Sequence, residues 1–143
     1  MREIHTEIEI GASADRIWKI LTEFGRYPDW NPFLRWVRGR AEVGRSIAMR
    51  INPPNARAAT MHGRIVEVRP RQRLGWSGAT SVPGLLHMDH LIELVSMSGD
   101  RMLVTHRESA SGALPWLHWD LLACCYHAGT SAMNRALKTR AEA

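Results

Sequence analysis

The hydrophobic pattern of this chain changes period at Gly112, and that change constrains the fold more than any other feature. Before it, apolar residues alternate with polar ones in short runs. Ile4, Thr6, Ile8 and Ile10 share one face of an opening strand, with His5, Glu7 and Glu9 on the other. After Gly112, from Leu114 to about Arg140, the period is helical: Leu114, Leu117, Leu121, Cys124, Cys125, Ala128 and Ala132 form one stripe, with Asp120, His127, Asn134 and Lys138 opposite. Strands followed by one long helix, without strict alternation of the two, predict an α+β chain.

Turn residues divide the strand region. Gly11-Ala12 ends the first strand, and Ser13 is placed to cap a short helix over Ala14–Leu21. Phe24–Pro28 ends that helix, and Asp29–Phe33 is expected to be a tight turn. Six strands follow, expected near Leu34–Arg40, Ser46–Ile51, Ala59–Arg69, Arg73–Ala79, Gly84–Val95 and Arg101–Glu108. Their regular spacing argues for a meandering antiparallel sheet. With 143 residues and no internal linker or repeat, the whole of 1–143 is expected to form one domain.

Composition excludes several classes. The 19 Lys+Arg exceed the 14 Asp+Glu by five, but the arginines are scattered rather than gathered in a block, so no nucleic-acid partner is expected. No apolar run reaches the ~18 residues of a membrane span, so membrane insertion is not expected. The N-terminus lacks a signal-peptide core, and the only two cysteines are adjacent, a poor geometry for a disulfide. A reduced, cytoplasmic protein is the expectation. There is no P-loop, no GxGxxG and no GxSxG elbow. No cofactor is implied, and nothing in the pattern fixes an oligomeric state.

Two strand faces carry the chemistry. Met88, His90, Ile92 and Leu94 share one face, and Met102, Val104, His106 and Glu108 share another. If both turn toward the helix, His90, His106 and Glu108 are the candidate catalytic set, because imidazole and carboxylate together exchange protons near neutral pH. A one-residue slip in register would put them all outside. Two His and a Glu also match a zinc ligand set, but their spacing is no metal signature, and no metal is expected. Candidate ligand walls are Trp30 and Phe33 on the turn, Trp76 on its strand with Gly78 leaving room beside it, and Met88, Ile92 and Val104. Leu117, His118 and Leu121 at the start of the long helix complete the set; the bulky residues gathered there place a cavity against its first half. The tryptophans suit an ordinary core equally well, and His118 equally suits a local helix-boundary contact.

Several segments in order resemble the helix-grip superfamily, which includes START domains, the birch-pollen allergen group and the polyketide cyclase/dehydrase family. They are Ile17-Trp18-Lys19-Ile20-Leu21, Tyr27-Pro28-Asp29-Trp30-Asn31-Pro32-Phe33, Leu74-Gly75-Trp76-Ser77-Gly78, His90-Leu91-Ile92-Glu93-Leu94, Thr105–Gly112 and Met133–Lys138. The loop at Gly39–Gly44 lacks the Gly-rich form of the plant allergen branch, which favours the bacterial cyclase-like branch. The resemblance implies a curved antiparallel sheet wrapped around a long C-terminal helix, with an internal cavity for a small hydrophobic molecule, lipid-like or polyketide-like. Two alternatives stand beside that binding module: a polyketide cyclase/aromatase-like enzyme moving protons with His90, His106 or Glu108, and a basic interaction protein for RNA or a ribonucleoprotein. Fold alone does not choose among them.

Overall fold

The computed structural model describes residues 2–143. Seven strands form one antiparallel sheet in the order β1-β7-β6-β5-β4-β3-β2, with β1 at Arg2–Ile10, β2 at Leu34–Arg38, β3 at Ser46–Ile51, β4 at Ala59–Arg69, β5 at Arg73–Thr80, β6 at His87–Met97 and β7 at Arg101–Ser111. Strands β2 to β7 follow one another as a meander, and β1 closes the far edge by pairing with β7. The sheet curls around a 30-residue helix, α2, at Ala113–Glu142. This is the α+β arrangement expected from the change in period, in the helix-grip form that the resemblance implies.

Between β1 and β2 the chain makes two short helices. α1, Ala14–Thr22, begins as its capping residue predicts: the Ser13 hydroxyl accepts from the Arg16 N–H at 3.1 Å. It buries Ile17, Ile20 and Leu21. The segment Phe24–Asp29, expected only to end that helix, is itself a 3₁₀ turn. Pro28 fits because a 3₁₀ turn asks for few donors, and the buried Tyr27 hydroxyl donates to the Leu21 carbonyl at 2.6 Å. Asn31 then makes the tight turn: its side-chain oxygen accepts from the N–H groups of Phe33 and Leu34, both at 2.9 Å.

The strands depart from expectation mainly at their ends. β2 stops at Arg38 because Gly39 takes a φ of 130° that other residues avoid. Residues 81–85 form a turn, so β6 begins at His87 rather than Gly84.

The long helix differs from its expected face. Its buried residues are Pro115, Leu122, Cys125, Tyr126, Gly129, Thr130, Met133, Asn134, Leu137 and Ala141. Leu117, Leu121, Cys124 and Ala128 lie exposed, and Asn134, expected outside, is inside. The cause is a break at His118, whose φ of −134° and ψ of 44° are not helical. A stripe read through that position from Leu114 and Leu117 continues in the wrong phase.

Beyond the break, two devices seat the helix. Arg16 donates to the carbonyls of Ala141 at 2.6 Å and Arg140 at 3.0 Å, partnering groups the helix end leaves open. In the middle, Gly129 gives the Phe33 ring room: a methyl there would sit 2.3 Å from Phe33 Cδ1. Gly129→Ala should therefore destabilise the fold by about 1–3 kcal/mol in urea unfolding, with part of the loss recovered by adding Phe33→Leu. A Gly129→Ala variant as stable as the parent would contradict this seating.

Candidate functional site

Strand register assembles the site. Trp76 on β5 pairs with His90 on β6, His90 with Glu108 on β7, and Glu108 with Ile4 on β1. The neighbouring row runs Leu74, Ile92, His106, Thr6. All of these residues are buried, so both rows face α2. Trp76 and His90 stack with ring centroids 4.4 Å apart and planes 10° from parallel.

The polar groups form one connected cluster. His90 Nε2 and His106 Nδ1 lie 3.1 Å apart, so one donates and the other accepts. His90 Nδ1 lies 3.4 Å from Glu108 Oε1. From the helix, Thr130 Oγ1 reaches Glu108 Oε1 at 2.6 Å and the Tyr126 carbonyl at 2.9 Å. Thr130 has one proton for two acceptors. Both contacts become hydrogen bonds together only if Glu108 is protonated and donates to Thr130, which then donates to the carbonyl. Lower on the helix, Asn134 Nδ2 donates to Thr6 Oγ1 at 3.2 Å.

Burial acts on these groups in the direction that keeps them neutral. It raises the Glu108 carboxyl from 4.5 to about 7, a shift partly offset when Thr130 donates to it. Burial lowers His106 from 6.5 to about 3, and burial followed by the neighbouring His106 pushes His90 well below 6.5. The Tyr126 phenol is pushed up by burial and then by the charges of Glu108 and Cys125.

Two spaces adjoin the cluster. An inner cavity of about 20 Å³, room for one water or one hydroxyl, is lined by Phe33, Leu34, Met49, Ile51, Met61, Trp76, Gly78, Met88, His90, Glu108 and Tyr126. An outer groove of about 450 Å³ opens between the β3–β4 loop, the β5–β6 loop and the first half of α2. Pro53, Ala58, Leu85, Leu86, Leu114, Leu122 and Cys125 make it apolar, and Tyr126 walls both spaces.

The candidates from the sequence divide accordingly. His90, Glu108, Phe33, Trp76 and Met88 line the inner cavity, and His106 stands behind His90. Ile92 and Val104 face the same way but are sealed in the core, off both spaces. His118 and Leu121 edge the outer groove, whereas Leu117 points outward, 62% exposed, because the helix breaks next to it. Trp30 packs on Tyr27 at the other end of the molecule, in a cleft with Arg16 and Arg140. Among the described residues no group of three His, Cys, Asp or Glu is arranged to hold a metal, and no helix is long and apolar enough to cross a membrane. Sequence reasoning missed Tyr126, Thr130 and Asn134. Their spacing of four was the available signal, since it puts three hydrogen-bonding side chains on one helix face.

The shifts give stability a defined pH dependence. Glu108 stays protonated in the folded chain while the unfolded chain ionises, so its contribution falls as pH rises from 4.5 to 7. His106 stays neutral in the folded chain, so its contribution falls in the opposite direction, as pH drops from 6.5 toward 3. Glu108→Gln removes only the first effect. Between about pH 5 and pH 8 the parent should lose up to about 3 kcal/mol relative to that variant, measured by chemical denaturation at both ends. Parallel stability curves would contradict a neutral Glu108.

Comparison with known proteins places this geometry. The chain aligns at 17% identity and a TM-score of 0.78 with the Zhui aromatase/cyclase from Streptomyces sp. R1128, covering 99% of this chain and 93% of that one. A START superfamily protein from Mycobacterium smegmatis aligns at 15% identity and a TM-score of 0.77, covering 98% and 97%. A hypothetical protein from Helicobacter pylori aligns at 14% identity and a TM-score of 0.83, covering 98% and 88%. At these identities the likeness is one of fold. No protein of curated function matches the sequence. The family model described as polyketide cyclase / dehydrase and lipid transport matches residues 1–142, and the chain belongs to that family.

Proposed function

We propose that this chain binds a small, largely apolar molecule in the outer groove, with the ligand's inner end directed at His90 and Glu108. The observation that carries this reading is the adjacency of the two spaces, which share Tyr126 as a wall. An apolar groove of about 450 Å³ ends on Tyr126, and the cavity behind that residue holds the buried polar cluster. Apolar lining supplies affinity, and the few polar groups at the end supply orientation. Membership of a family described by both cyclase and lipid-transport activity supports a ligand of this kind.

A second reading, proton-transfer catalysis of the cyclase/aromatase type, is favoured by one specific feature. Glu108 lines the cavity with a carboxyl raised to about 7, where it can both give and take a proton. Intrinsic tryptophan fluorescence titrated with aromatic polyketides and long-chain alcohols tests the first reading. Ala58→Trp fills the groove from its half-buried loop and should weaken binding about tenfold or more. Val95→Trp, on an exposed position of β6, should not. Equal binding by both variants would refute the groove as the site. Conversion of a bound compound that falls about 100-fold in Glu108→Gln would establish the catalytic reading.

A further inference from the structure

The charges around the two spaces are distributed unevenly. The inner cavity has no Lys or Arg in its lining, and its polar side chains are Glu108, His90 and Tyr126. A carboxylate placed there would lie beside the Glu108 carboxyl with no cation to balance it, an arrangement that strongly disfavours its charged form. A hydroxyl suits the same place in both size and chemistry. The cavity of about 20 Å³ admits one oxygen, and Glu108, whose contacts to Thr130 and His90 are made through Oε1 alone, leaves its second carboxyl oxygen to partner it. The parallel stack of Trp76 on His90 presents a flat wall beside it.

The groove's mouth is the reverse. Arg57, on the β3–β4 loop, is the one Lys or Arg in its lining. It is exposed and, like several other arginines of the chain, makes no ion pair among the described residues. A free guanidinium at the rim of an apolar groove is suited to a carboxylate, which it can meet through two parallel hydrogen bonds.

We propose that the groove takes its ligand in one direction: a flat apolar molecule with a neutral hydroxyl against Glu108 at the inner end and an acidic group against Arg57 at the mouth. The ligand class is thus a hydroxylated aromatic acid whose two polar groups lie at opposite ends. This rests on the ligand-binding reading above and adds an orientation to it.

Three probes separate the two ends: 2-naphthol, 2-naphthoic acid and 6-hydroxy-2-naphthoic acid, titrated by fluorescence into the parent, Glu108→Met and Arg57→Gln. Glu108→Met keeps bulk and removes the hydrogen bonds, so it should weaken both hydroxyl probes about tenfold and leave 2-naphthoic acid unchanged. Arg57→Gln should weaken both acids about threefold and leave 2-naphthol unchanged, as suits an exposed charge. Unchanged binding of 2-naphthoic acid by Glu108→Met also shows that this variant is folded. If all three probes bind but Glu108→Met weakens them equally, or neither variant distinguishes them, the orientation is wrong while the groove remains a binding site. If the parent binds none of them, the ligand-binding reading fails for this chemistry and the orientation fails with it.

Discussion

The contact between Thr130 on α2 and Glu108 on β7 fixes more of this molecule than any other single interaction. A buried carboxyl cannot be left without a partner, and Thr130 meets it at 2.6 Å from α2, the helix around which the sheet curls. Rotating α2 by one residue would bring Gly129 or Ser131 to the place of Thr130 and break its contact with Glu108. The helix phase, the strand register through His90 and Trp76, and the position of Tyr126 all follow from keeping that contact. Apolar packing along Met133, Leu137 and Ala141 attracts the helix to the sheet, but packing alone tolerates rotation better than a hydrogen bond does.

The cluster is also what distinguishes this interior from a plain core. Trp76 covers one face of His90, His106 meets its edge, and Glu108 meets its other nitrogen. Burial keeps the set uncharged, so it can sit beside methionine and aromatic side chains without counter-ions. It faces a space large enough for one small polar atom, and the larger apolar groove lies on the other side of Tyr126. Polar chemistry and apolar volume are therefore adjacent but separate, and a ligand that uses both must span Tyr126.

Much of this was legible in the sequence, for local reasons. Alternation on β6 and β7 has a period of two, so Met88, His90 and Ile92, and likewise His106 and Glu108, had to share a face once that face was buried. The turn at Asn31 and the cap at Ser13 follow from side chains that bond to nearby backbone. The helix face was not legible. The break at His118 resets the phase, and the buried side carries Tyr126, Thr130 and Asn134, whose polarity masks it. Cavity size was illegible for a different reason. It depends on Phe33 lying in the notch at Gly129, a meeting of residues 96 positions apart that no window of sequence records.

The neutral cluster depends on a protonated Glu108 at its centre. Infrared spectroscopy of the folded protein at about pH 6 observes this directly, through the carbonyl stretch of a buried carboxylic acid, with Glu108→Gln as the reference. A protonated-carboxyl band in the parent that is missing from the variant is the predicted result, because the raised carboxyl keeps its proton there. Spectra that show only ionised carboxylates in both proteins would contradict it, and would turn the cluster into a buried ion pair between Glu108 and His90.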